Sequence, residues 1–195
     1  MTDRRLTPRG RERRRQLMDY ATERFAEHGY DPTAVSEIVD GIGVGKGVFY
    51  WYFNSKESLL HEILTEAQHR LRRCQREAIG AEPDPLRRIE LGIRATITWQ
   101  AEHPALVKLA QFASGEDRFA PTLRQAHDVA LADVVGLVKD AIISGQVRDD
   151  DPQMLAHAIL GVTVHLSIML RHEHGPDAGE LADLAVRFCL DGLAV

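Results

Sequence analysis

The chain has 195 residues, 44% hydrophobic and 27% charged, the composition of a soluble globular protein of one or two domains whose core size is not limiting. The formal net charge of −5 hides a division, because residues 1–60 hold 10 basic against 9 acidic side chains and the rest hold 14 against 20. Two cysteines give no disulfide framework, and no apolar run approaches the roughly 20 residues of a membrane span or a secretory leader, so no membrane role and a cytoplasmic setting are expected.

Thr2 to Arg15 is a basic arm, with Arg4, Arg5, Arg9, Arg11, Arg13, Arg14 and Arg15 set against Asp3 and Glu12. Pro8 and Gly10 discourage regular structure at its start, and it reads either as a solvated tail or as a means of neutralising phosphates. From Arg11 the spacing of Leu17, Tyr20, Ala21 and Phe25 predicts a first helix, stopped by Gly29-Tyr30. Val35, Ile38 and Val39 then fall at helical spacing, and Asp40-Gly41-Ile42-Gly43-Val44 breaks that helix with two glycines. On the next short helix Val44, Phe49 and Phe53 can face inward, while Lys46, Val48, Tyr50, Trp51 and Tyr52 are too polar or too many to be buried together.

Two short helices joined by a tight turn describe a helix-turn-helix, whose second helix lies in the DNA major groove. Each residue type has a reason to be there. Gly45 and Gly47 let the backbone approach the groove, Lys46 can donate to guanine or phosphate, and Val48 can meet a thymine methyl. The hydroxyls of Tyr50 and Tyr52 suit phosphate oxygens, Lys56 opens the following helix with a positive charge, and Thr33, Ser36 and Trp51 complete the expected DNA-binding set.

The string Phe25-x-x-x-Gly29-Tyr30-x-x-Thr33, then Ile38, then Gly43-Val44-x-Lys46-Gly47-x-Phe49-Tyr50-x-Tyr52-Phe53-x-x-Lys56-x-x-Leu59-Leu60 resembles the tetracycline-repressor (TetR) family of bacterial transcriptional regulators. The resemblance covers about the first third of the chain. It implies an all-α protein with a three-helix DNA-binding domain, here residues 1–54, followed by a helical ligand-binding and dimerisation domain, residues 55–195. One position departs from the pattern: Gly45 stands where the family usually has Ser or Thr, which removes a side-chain cap.

Asn54 or Ser55 caps the next helix, which continues through Leu59, Leu60, Ile63, Leu64, Ala67 and Leu71 to about Gly80 and is long enough to link two domains. Helices follow over Pro85 to Glu102, Ala105 to Phe112 and Phe119 to Ser144, the last stopped by Gly145. Asp149-Asp150-Asp151-Pro152 caps the next. Here Leu155, Ile159, Val162, Leu166 and Met169 form one apolar stripe, and Ala158, Gly161, Val164 or His165 and Ile168 a second. In the final helix Leu181, Leu184 and Phe188 make one face and Val186, Leu190 and Leu193 another, so the last two helices are expected to meet their copies in a homodimer. No strand pattern appears.

Asp40 and Gly47 stand where a phosphate-binding loop needs Gly and Ser or Thr, and no nucleophile elbow, HExxH or zinc-spaced cysteine pair is present, so neither catalysis nor a cofactor is expected. His157 and His165 lie about 12 Å apart by helix rise, too far for one ion, and His172 with His174 reads as a helix end, so no metal site is expected either. The resemblance implies an internal ligand cavity. Isolated polar residues on apolar helices are its candidate lining: Thr96, Thr98, Trp99, Gln111, His127, Thr163 and His165. The implied function is a repressor that leaves a near-palindromic DNA operator when a small-molecule inducer binds, with the helix after Ser55 as lever. A helical ligand-binding or interaction protein without DNA function is the alternative.

Overall fold

In a computed structural model the chain is helical, with no strand among the described residues, which are 6–171 and 175–193. The expectations for Arg4, Arg5, His172 and His174 lie outside them. The helices are α1 (Pro8–His28), α2 (Val35–Gly41), α3 (Lys46–Tyr52), α4 (Lys56–Ile79), α5 (Pro85–Glu102), α6 (Pro104–Ser114), α7 (Ala120–Ile143), α8 (Pro152–Leu166) and α9 (Ala178–Leu193). Short 3₁₀ turns at Asp117–Phe119 and Ser167–Arg171 precede α7 and follow α8.

The first helix starts earlier than expected, because Pro8 favours it. The Thr7 hydroxyl accepts from the Gly10 backbone N–H at 3.1 Å, and Pro8 occupies the first turn, where a missing N–H costs nothing. Ser55, rather than Asn54, caps α4: its hydroxyl accepts from the Ser58 N–H and the Ser58 hydroxyl interacts in return with the Ser55 N–H, both at 3.0 Å. Gly43 and Gly145, at φ +68° and +71°, take left-handed conformations that stop α2 and α7 at low cost. Asp151 caps α8 as expected, its carboxylate accepting from the Gln153 N–H at 2.8 Å.

The chain divides into two compact units, Met1–Glu66 with Ala105–Thr122, and Ala67–Pro104 with Leu123–Val195. The first has an aromatic core. Leu17, Phe25, Ile38, Phe49, Phe53, Leu59 and Leu60 are all but inaccessible. Tyr30 joins the Phe25 ring at 5.1 Å, the Phe112 ring at 5.3 Å and the Phe119 ring at 5.8 Å, which ties α6 and the 3₁₀ turn into this unit. The Lys108 ammonium donates to the carbonyl of Ala26, and the His61 ring shares a 2.7 Å hydrogen bond with the Thr122 hydroxyl. An Arg24–Glu37 ion pair clamps α1 to α2; the guanidinium holds the Glu37 carboxyl below its usual pKa.

The second unit has an aliphatic core: Ile89, Ile93 and Ile97 of α5, Val138 and Ala141 of α7, Leu155 and Ile159 of α8, and Leu181, Ala185, Val186 and Cys189 of α9. One stripe of α8 is therefore internal as expected, apart from Met169. The second stripe is at the surface, with Val164 59% and Ile168 39% exposed, and so are Leu184 and Phe188, the latter 65% exposed. Leu181 turns inward instead of joining them, because it sits one turn before the buried Ala185. This doubled apolarity also corrects the expectation about spans: Pro152–Leu170, 19 residues, is long and apolar enough to cross a membrane by length and composition.

Phe49 has no exposed surface, so Phe49→Ala should lower stability by about 3–5 kcal/mol. Denaturant melts followed by circular dichroism check this, and an unchanged midpoint would overturn the packing described.

Candidate nucleic-acid interface and ligand cavity

The interface is built from the turn outward. The Gly43 N–H donates to the Asp40 carbonyl at 3.1 Å and the Val44 N–H to the Val39 carbonyl at 2.9 Å, closing the turn between α2 and α3. Phe49 and Phe53 then point into the core, which forces Lys46, Tyr50 and Trp51 to the surface of α3; the two aromatics are 56% and 52% exposed. Val48, Tyr52 and Ser36 are half-buried beside them, and the Trp51 and Tyr52 rings meet edge to face at 4.5 Å. Gly45 and Gly47 are exposed, and a Cβ built on either would meet nothing within 4 Å. Neither glycine takes a positive φ. Nothing inside the chain requires glycine at these positions.

Two residues expected to touch DNA are turned inward. Thr33 is buried, its hydroxyl donating to the Gly29 carbonyl at 2.7 Å. Lys56 donates to the carbonyls of Tyr30, Asp31 and Thr33 at 2.7, 3.0 and 3.0 Å, and its ammonium lies 4.4 Å from the centre of the Tyr30 ring. All three ammonium hydrogens are thereby engaged, and burial pushes the group below the usual lysine pKa. The side chain is long enough to reach back to the turn between α1 and α2, a partner more than 20 residues away that spacing alone does not reveal. In the basic segment, Arg14 pairs with Glu62 and Arg15 with Glu12. Among the described residues Arg9, Arg11, Arg13 and Lys46 have no carboxylate within ion-pair distance.

The second unit carries a half-open cavity of about 800 Å³ lined by α4, α5, α7 and α8. Thr96, His127 and Thr163 are among the residues that line it. Trp99, Gln111 and His165 do not. Trp99 is buried against His103, their rings stacked 4.3 Å apart; Gln111 is exposed on α6 in the first unit; His165 is exposed on the outer stripe of α8. The polar lining that sequence reasoning missed is richer: Gln68, Arg72, Gln75 and Arg76 of α4, Arg88 and Gln100 of α5, and Asp133 of α7. Its signal was present, since Arg88, Gly92, Thr96 and Gln100 recur every four residues along one face of α5. Among the described residues, no group of three or more His, Cys, Asp or Glu side chains is placed to hold a metal ion.

A helix-turn-helix unit joined in one chain to a helical unit with a half-open cavity is the architecture of the helical DNA-binding regulators. Residues 17–63 match the model of the bacterial regulatory proteins of the tetR family. The HTH-type transcriptional regulator YhgD of Bacillus subtilis is 23% identical over 186 residues, 94% of this chain and 97% of that protein. The HTH-type transcriptional repressor KstR2 of Mycobacterium tuberculosis is 27% identical over 168 residues, 84% of each. Among solved structures, that of the ketosteroid transcriptional regulator KstR2 superposes with TM-score 0.73 at 25% identity, covering 94% of this chain and 95% of that one. The fatty acid degradation regulator FadR of Bacillus halodurans shares the fold with TM-score 0.83 at 22% identity, covering 92% and 98%. Residues 17–63 thus carry the tetR-family DNA-binding region, and the relatives aligned over most of the chain are named as transcriptional regulators and repressors.

Removing the Lys56 ammonium leaves three carbonyls without their donor, so Lys56→Met should destabilise the first unit by about 1.5–3 kcal/mol. Lys46→Ala, at an exposed position, should leave the melt within about 0.5 kcal/mol of the parent. Urea titrations of both variants check this; equal midpoints would show the Lys56 clasp to be without weight.

Proposed function

We propose that this chain is a ligand-responsive repressor whose reading head, residues 1–54, presents α3 to the major groove of a near-palindromic operator. The observation that carries the reading is the pair Gly45 and Gly47, exposed on the surface of the turn and α3 with no internal reason to be glycine. Glycine inside a helix costs about 1 kcal/mol relative to alanine, so Gly47 makes sense where another body approaches the backbone closely. Lys46, Val48, Tyr50, Trp51 and Tyr52 surround it with donors and apolar contacts suited to base edges and phosphates, Ser36 adds a hydroxyl from α2, and Arg9, Arg11 and Arg13 supply positive charge to the backbone. Residues 55–195 carry the ligand cavity and the dimer contact. α4, whose residues divide between the two units at Glu66 and Ala67, is the element through which an inducer would act, and the setting is the cytoplasm.

The dimer forms through the exposed stripes of α8 and α9, where Val164, Ile168, Met169, Leu184 and Phe188 leave an apolar surface on a water-facing side. Gly161 lies on the same face with open space around its Cβ position. Gly161→Leu should therefore leave the protomer's melt unchanged and weaken or separate the pair, as overpacking a close helix crossing costs about 1–3 kcal/mol. Sedimentation velocity decides this; an unaltered dimer would move the contact elsewhere.

Gly47→Ala supplies the matching test at the DNA face. The variant should be more stable than the parent by up to about 1 kcal/mol, yet bind a duplex from upstream of its own gene more weakly in a gel shift. A variant that binds as well as the parent removes the close-approach argument. Failure of the parent chain to shift any such duplex favours a helical ligand-binding protein without DNA function.

A further inference from the structure

Three histidines have their ring nitrogens engaged: His28 faces Glu27, His61 faces Thr122 and Glu57, and His103 faces the Trp99 carbonyl and Arg70. His127 of α7 and His157 of α8 differ. Neither ring has a hydrogen-bond partner or a carboxylate at ion-pair distance among the described residues, yet the two rings meet, with 5.5 Å between their centres and 27° between their planes. Both residues are exposed.

Ordinary packing does not account for this meeting. An exposed ring pair buries little apolar surface, and two imidazoles held beside each other repel once both carry protons. His157 stands on the outer face of α8, one turn before Gly161, and His127 on the part of α7 that borders the cavity. The residues are far apart in sequence, and only the fold brings them together.

Their separation suits a shared ion. Neutral imidazole is a common ligand of zinc, nickel and copper. With Zn–N bonds of about 2.1 Å at the tetrahedral angle, two imidazoles on one ion put their ring centres roughly 5–5.5 Å apart. Turning χ2, a soft torsion in histidine, points one nitrogen of each exposed ring toward the space between them. Water completes the coordination, since among the described residues no third His, Cys, Asp or Glu side chain joins the pair. The acidic excess after residue 60 adds a field that favours a cation.

We propose that His127 and His157 together bind one divalent transition ion, zinc in the first place, and that this ion ties α7 to α8 beside the cavity. The site is distinct from the cavity itself, whose lining includes His127 but not His157. Because the two ligands come from different helices, the unfolded chain offers no such pair, and ion binding stabilises the fold.

Isothermal titration of the full-length protein with zinc chloride, in a non-chelating buffer without DNA, tests this. One zinc ion per chain should bind, and magnesium, which demands oxygen ligands, should not compete. His127→Gln and His157→Gln should each weaken zinc binding about tenfold or more, equivalent to about 1.4 kcal/mol. Both positions are exposed, so without metal the variants should melt as the parent does, followed by circular dichroism. Zinc should raise the parent's melting temperature and lose that effect in both variants. His165→Gln, and the double change His172→Gln with His174→Gln, are controls that should bind zinc as the parent does. Absence of zinc binding, parent-like binding by either pair variant, competition by magnesium, or loss of binding in a control variant overturns the proposal. Neither operator binding nor the dimer contact enters these measurements.

Discussion

The Lys56 ammonium, donating to three carbonyls of the turn between α1 and α2, is the constraint on which the presentation of α3 depends. α2 and α3 have 7 residues each, well below the roughly 12–15 at which an isolated helix becomes even marginal in water. Neither has a side-chain cap at its N-terminus. They exist because tertiary packing holds them: Ile38, Val39, Phe49 and Phe53 anchor them from below, and the lysine fixes the turn that leads into α2. Capping, lost at Gly45, is exchanged for a bare helix start that a second molecule can approach.

The two units are stabilised in different ways. The first relies on ring packing among Phe25, Tyr30, Phe112 and Phe119, with cations of Lys56 and Arg118 over the Tyr30 face at 4.4 and 5.1 Å. Such a cluster is directional and holds a small domain in one arrangement. The second relies on aliphatic side chains beside a cavity whose lining mixes apolar and polar groups. The ring packing thus accompanies the exposed surface of α3, and the aliphatic packing accompanies the cavity.

Charge follows the same division. An excess of acidic residues after residue 60 keeps the net charge at −5, while residues 1–60 hold a small excess of basic side chains, among them Arg9, Arg11 and Arg13 on α1 and Lys46 at the start of α3. For an interaction screened over about 10 Å at ordinary ionic strength, this local arrangement matters more than the sum.

Much of this molecule follows from sequence by itself. The glycines at 41, 43 and 145, the prolines at 85 and 152 and the 3.6-residue apolar periodicity mark the helices, because helix start and stop signals act over a few residues. The faces of α3 were legible for the same reason: burying Phe49 and Phe53 dictates where Lys46 and Tyr50 must point. The doubled stripes of α8 and α9 were equally visible, although which of the two would face outward was not, as both are apolar. Only the tertiary structure decided the role of Lys56, whose partners lie 23 to 26 residues earlier, and the return of α6 to the first unit through Phe112 and Phe119. It also decided the cavity, taking Thr96 and Thr163 but leaving out Trp99, Gln111 and His165. A polar residue on an apolar helix announces that it needs a partner; whether that partner is a backbone carbonyl, a neighbouring ring or a cavity depends on which helices come together, and no local pattern records that.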